Sequence, residues 1–193
     1  MGVTSLEDLD RQTELLLTTA QSLSDASAPS LCVGWTRGHV LAHLARNADG
    51  LAALARAAVD GTGETMYRSD EGRDADIDAG ADRPQPELIA DLESTAAMLR
   101  PLLARLGPEH ADITLERTPG GQRFTAGRLL DLRVREVVYH HVDLDAGFTF
   151  ADVDPDLVRV YLDGEYASLG PDAGHRARAQ DLLWRARGLR SDP

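Results

Sequence analysis

Apolar residues return at helical spacing in four long stretches of the chain. The first carries Leu9, Leu16 and Leu23 at seven-residue intervals. It follows Thr4-Ser5-Leu6-Glu7, which has the form of a capping box, so a helix is predicted from about Ser5 to Ser24. The Ser, Ala and Pro residues between Asp25 and Ser30 break it. A second helix is predicted to start with Thr36 as N-cap, after Gly34-Trp35, and to run to about Asp60 with Val40, Leu44, Leu51 and Leu54 as its buried stripe. A third opens at Pro86-Glu87, where proline is tolerated in the first turn and the carboxylate complements the helix dipole. It continues through Leu88, Leu92, Leu99 and Leu106 to Gly107-Pro108, with Pro101 predicted to kink it or end it early. The pattern then changes: alternation on either side of Pro119-Gly120-Gly121 predicts a short hairpin between Ile113 and Phe124. A fourth helix is predicted from about Thr125 to Asp145, another from Pro155 to Leu169, and a basic helical tail from His175 to Arg190.

Between Gly61 and Pro86 neither period appears, and the segment reads as a long irregular connection with at most one short helical turn. Met66, Tyr67 and Arg73 are its expected contacts with the body. Its acids Asp70, Glu71, Asp74, Asp76 and Asp78 lack the spacing, glycine and terminal glutamate of a calcium loop and read as a solvated face. Four long amphipathic helices with one long cross-connection predict an all-α four-helix bundle over residues 1–150, with a short helical extension over 151–193.

Composition narrows the function classes. The chain has 193 residues, 42% of them hydrophobic, without an apolar run long enough to span a membrane, and its opening MGVTSLEDLD is acidic and unlike a secretory signal. A net charge of -12 with no basic stripe argues against nucleic acid as a partner. The single cysteine, Cys32, excludes an intrachain disulfide framework and suits a reducing cytoplasm. Small molecules are the expected partners, for a chain acting as a monomer or weak homodimer.

The chemistry concentrates in Arg133–Leu144, RVREVVYHHVDL. On a helix, Glu136 and His140 stack one turn apart on the side of Leu129 and Leu144. An ionised carboxylate placed in apolar surroundings needs a cation or a hydrogen-bonded mate. Glu-x-x-x-His is a weak signal alone, so a third ligand decides its meaning. On the second helix His43 falls at the edge of the buried stripe and His39 points further out, an order that one residue of register would exchange. His43, Glu136 and His140 would give an N, O, N donor set with a position left open, the form of a catalytic zinc site. Arg133 shares the Glu136/His140 face and is the candidate clamp for an anionic substrate, whereas Arg135 is expected to point the opposite way. Tyr139 and His141 also point elsewhere. Cys32, with no base evident nearby, reads as a small buried thiol.

The segments GWTRGHVLAHLARNADG, GETMYRSDEGRDADIDAG and REVVYHHVDLDAGFTFADV resemble the mycothiol-dependent maleylpyruvate isomerases of the DinB-like metal-binding helical bundle superfamily, in the same order over roughly residues 5 to 165. The resemblance implies a bundle that holds Zn²⁺ or another divalent metal on His43, Glu136 and His140 and uses mycothiol as its thiol. It implies cis–trans isomerisation of maleylpyruvate: thiolate adds to the double bond, the resulting single bond rotates, and the thiolate leaves. The family continues into a C-terminal α/β domain that contributes an arginine, and the last forty or so residues here do not resemble it. A thiol S-transferase acting on another electrophile, and a non-enzymatic metal-binding bundle, are the alternatives that this departure suggests.

Overall fold

Each long helix begins where the sequence offers a cap. The structure, a computed structural model, describes residues 4–168. Helix α1 (Leu6–Ser22) is capped by Ser5, whose hydroxyl accepts from the Asp8 amide at 3.1 Å while the Asp8 carboxylate accepts from the Ser5 amide at 2.9 Å. The capping box is therefore Ser5/Asp8, one residue later than the predicted Thr4/Glu7, because Thr4 instead donates its hydroxyl to Asp131 at 3.0 Å. Helix α2 (Arg37–Asp60) starts at Thr36 as expected and stops at Gly61, whose φ of 68° is the left-handed conformation that ends helices cheaply only at glycine.

The segment after Gly61 departs from the sequence expectation. It contains a full helix, α3 (Asp70–Ala81), capped by the Ser69 hydroxyl. Period analysis misses this helix because Ile77 is its one large buried apolar residue, the others being Gly80 and Ala81. Small residues replace a hydrophobic stripe: a Cβ on Gly38 would overlap the Ala81 carbonyl oxygen, and one on Gly80 would lie 3.1 Å from the Ala42 methyl. Backbone proximity to α2, rather than large side chains, fixes α3. Ahead of it, the amides of Met66 and Tyr67 donate to the carbonyls of Glu116 and Arg117.

Helix α4 (Gln85–Ala104) passes through Pro101 and ends three residues later, short of the predicted Leu106. The hairpin is present as β1 (Thr114–Glu116) and β2 (Arg123–Thr125), paired antiparallel with Leu115 opposite Phe124. A 3-10 turn, Ala126–Arg128, leads into α5 (Leu129–Asp143), and α6 (Pro155–Ser168) follows. The predicted helical tail over His175–Arg190 lies outside the described residues.

Helices α1, α2, α4 and α5 form the four-helix bundle: α1 packs on α4 and α5, and α2 packs on the same two from the other side. Leu16, Leu44, Leu51, Leu54, Leu92 and Leu129 are fully enclosed between them. Burial of such side chains, at about 1.5–3 kcal/mol each, is what holds polar groups of α2 and α5 face to face. Among the described residues no helix is long and apolar enough to cross a membrane.

Candidate metal centre

The α2–α5 contact brings His43 to Glu136 and His140. His43 is 4% exposed, and its Nε2 lies 3.0 Å from Glu136 Oε2. His140 Nε2 is 3.7 Å from the same oxygen, and the two imidazole centroids are 4.5 Å apart. One donor atom from each residue therefore falls within 4.8 Å of the others. Zinc bonds of roughly 2.0–2.2 Å to nitrogen and oxygen need donor separations a little above 3 Å, so this set fits a divalent ion with a small contraction.

His39 is excluded by its local role. Its Nδ1 accepts from the Thr36 amide at 3.2 Å, and its own amide donates to the Thr36 hydroxyl at 3.3 Å, so the ring closes the capping box of α2. One turn on, His43 sits under Trp35, with ring centroids 5.4 Å apart. Burial pushes the His43 imidazole below its ordinary range, against the raising effect of its hydrogen bond to Glu136. A neutral imidazole is the form that binds metal. For Glu136, burial pushes the carboxyl up, but the hydrogen bond from His43 and the charges of His140, His43 and Arg135 outweigh it and bring the pKa down to about 2. The carboxylate is ionised at any physiological pH.

A second layer of groups aims these donors. His140 Nδ1 is 2.9 Å from Asp143 Oδ2, and an ionised carboxylate can only accept, so the ring proton lies on Nδ1 and Nε2 presents its lone pair to the site. Cys32 donates its thiol to the same Asp143 oxygen at 3.3 Å. The half-buried thiol thus has a carboxylate neighbour that the sequence did not reveal. Asn47 donates to Glu136 Oε2 at 3.3 Å and accepts at its Oδ1 from Arg133 at 2.8 Å, which fixes the orientation of the amide.

That last contact corrects the reading of Arg133. It lies on the Glu136 side of α5 as expected, but its side chain runs inward to the Leu44 carbonyl and Asn47 and is 1% exposed. Burial pushes its pKa down to about 10, so it stays charged. It is a buttress behind Asn47, away from the adjoining cavity. The residue facing that cavity is Arg135, which the sequence reading had turned away. His141 and Tyr139 do lie elsewhere: His141 bonds Thr19 and stacks on Phe148, and Tyr139 packs on Phe150 and Tyr161.

The cavity, about 320 Å³, has His43, Glu136 and His140 in its wall together with Leu51, Met66, Tyr67, Phe124 and Leu132. Arg73, Arg117, Arg128 and Arg135 also line it, a local excess of positive charge in a chain of net charge -12. Arg73 comes from α3, the helix that periodicity missed, and its guanidinium NH2 lies 3.1 Å from His43 Nδ1. Two spacings in the sequence point to these partners: Asp143 follows His140 by three residues and Asn47 follows His43 by four, each on the same helical face as its histidine.

Comparison with known proteins identifies the fold and the family. The solved structure of the mycothiol-dependent maleylpyruvate isomerase, and that of a histidine-to-alanine mutant of it, each match with a TM-score of 0.76 and 28% sequence identity, covering 83% of this chain and 67% of the other. No curated protein matches. The helical fold is that of the DinB-like bundles. The family described as the mycothiol maleylpyruvate isomerase N-terminal domain matches residues 8–145 of the 193, and the chain belongs to that family.

Proposed function

We propose that the chain catalyses a metal- and mycothiol-dependent cis–trans isomerisation of a maleylpyruvate-type acid at the cavity beside His43, Glu136 and His140. The convergence of these three donors on one cavity wall carries the reading. Three protein ligands rather than four are the mark of a catalytic site. A divalent cation such as Zn²⁺, when bound there, would lower the pKa of the mycothiol thiol and so supply a thiolate for reversible addition to the cis double bond.

The protein's own groups prepare for that chemistry. Ionised Glu136 offers the charge a cation needs, and Asp143 holds the His140 proton on Nδ1 so that Nε2 faces the ion. Leu51, Met66, Phe124 and Leu132 give the cavity an apolar wall for the carbon skeleton of the acid to rest against. Arg128 and Arg135 make no ion pair among the described residues and are available to attract the substrate's carboxylates. With the cis acid as substrate, conversion is expected only when both thiol and metal are present, to cease on chelation, and to return on adding Zn²⁺. Conversion that survives removal of either component would defeat the proposal. A stable thioether product by mass spectrometry would reassign the chain as a thiol S-transferase.

A further inference from the structure

The hydrogen bond between Arg73 and His43 conflicts with metal binding, and the conflict has a direction. A guanidinium only donates, so with Arg73 NH2 at 3.1 Å the His43 Nδ1 must accept. The neutral ring then carries its proton on Nε2, directed at Glu136 Oε2 3.0 Å away. A metal ion takes the Nε2 lone pair, which moves the ring proton to Nδ1. There it would point at an Arg73 N–H, donor against donor. The loaded centre therefore cannot keep the Arg73–His43 contact.

A released Arg73 has an evident use. Its Nε is buried and without a hydrogen-bond partner among the described residues, next to the NH2 that metal loading would free. Its NH1 remains tied to the exposed Asp74 at 2.6 Å, and its carbon lies 5.9 Å from the Tyr67 ring centroid, so the head group stays at the cavity. Nε and NH2 together form the side-on fork that grips a carboxylate with two parallel hydrogen bonds. We propose that Arg73 is the carboxylate-binding residue of the cavity and that occupation of His43 by the metal is what frees it. The inference rests on the reading of His43, Glu136 and His140 as the metal centre. The ligand class is a small acid with carboxylates at both ends, the second one meeting Arg128 or Arg135 across the cavity.

The test uses the full chain, Zn²⁺, and maleate as a cis-diacid probe, followed by calorimetry. In the wild type, zinc is expected to tighten maleate binding about tenfold, and maleate to tighten zinc binding by the same factor, as linkage requires. Arg73→Met should bind zinc, lose most of that coupling, and bind maleate about tenfold more weakly in its zinc form; Arg73→Lys, which keeps the charge without the fork, should recover only part. Nitrogen-15 spectra of the histidines should place the His43 proton on Nε2 without metal and on Nδ1 with it. Equal coupling in wild type and Arg73→Met, or a proton already on Nδ1 in the metal-free protein, would overturn the inference alone. A wild type that binds no zinc at His43 would overturn the metal reading and this inference with it.

Discussion

Helix α5 carries two sets of polar side chains that differ in burial and in what surrounds them. Arg133 and His141 are each 1% exposed and find their partners inside the fold: the Leu44 carbonyl and Asn47 for one, Thr19 for the other. Glu136 and His140 meet His43 at the wall of a cavity, where three donors crowd within 4.8 Å and retain unused capacity to bind. The deeper burial belongs to Arg133 and His141, since the side chains of Glu136 and His140 stay 27% and 18% exposed, so burial of a polar group is not what marks the site. The fold supplies partners for Arg133 NH1 and His141 Nε2, although Arg133 NH2 and His141 Nδ1 stay buried without one among the described residues; what sets Glu136 and His140 apart is the convergence of three donors beside open space.

If that contrast is right, substitutions in the two sets should fail differently. The largest effect is expected at His43→Ala or Glu136→Ala. Four-ligand zinc sites bind with about 10–16 kcal/mol, or about 2.5–4 kcal/mol per ligand, so metal affinity should fall roughly a hundredfold to a thousandfold, with helical circular dichroism unchanged. Metal competition titrations check this, and full metal retention would remove either residue from the centre. Next comes Arg133→Ala, which leaves the Asn47 amide and the Leu44 carbonyl short of a donor and opens a void. It should lower unfolding stability in urea by about 3 kcal/mol while any folded fraction still binds metal. A stability loss below about 1 kcal/mol would return Arg133 to the list of surface clamps.

Smaller effects sharpen the comparison. Asp143→Ala frees the His140 ring to turn and removes its proton acceptor, so metal affinity should fall by roughly tenfold to a hundredfold without a comparable change in stability. His141 supplies a pH signature for the structural set, because burial pushes its pKa from 6.5 to about 4. Between those values the unfolded chain takes up a proton that the folded chain refuses. Stability is thus complete above about pH 6.5 and declines as the pH falls toward 4, by about 1–2 kcal/mol between pH 7 and 5. His141→Gln should flatten this slope in urea melts at the two pH values; an unchanged slope would place its origin elsewhere. Last, Arg135→Ala should change stability by less than about 0.5 kcal/mol, as for a partly exposed residue with no ion pair among the described residues, yet weaken maleate binding to the zinc form.

How much of this could be read from the chain differs by element. Helices α1, α2, α4 and α5 were legible because each supplies large apolar residues at helical spacing, and Thr36 and Gly61 mark the ends of α2. Helix α3 was not, because it is held by close backbone approach at Gly38 and Gly80, which leaves no hydrophobic period to detect. His43, Glu136 and His140 were singled out by the one-turn spacing of the last two, the place of His43 at the edge of the α2 stripe and the family resemblance, and the structure brings the three together. The arginines resisted: a long flexible side chain can run inward or outward from the same helical position, and only packing decides which, so Arg133 is buried and Arg135 lines the cavity.

The sequence by itself determined the bundle and the faces on which His43, Glu136 and His140 stand, because helical periodicity is a local property of the chain. Only the tertiary structure decided which polar groups are satisfied within the fold and which are left facing a cavity. Asn47 between Arg133 and Glu136, Asp143 behind His140, and Arg73 against His43 all depend on how side chains run and partners meet once the helices have packed, a geometry that spacing along the chain does not encode.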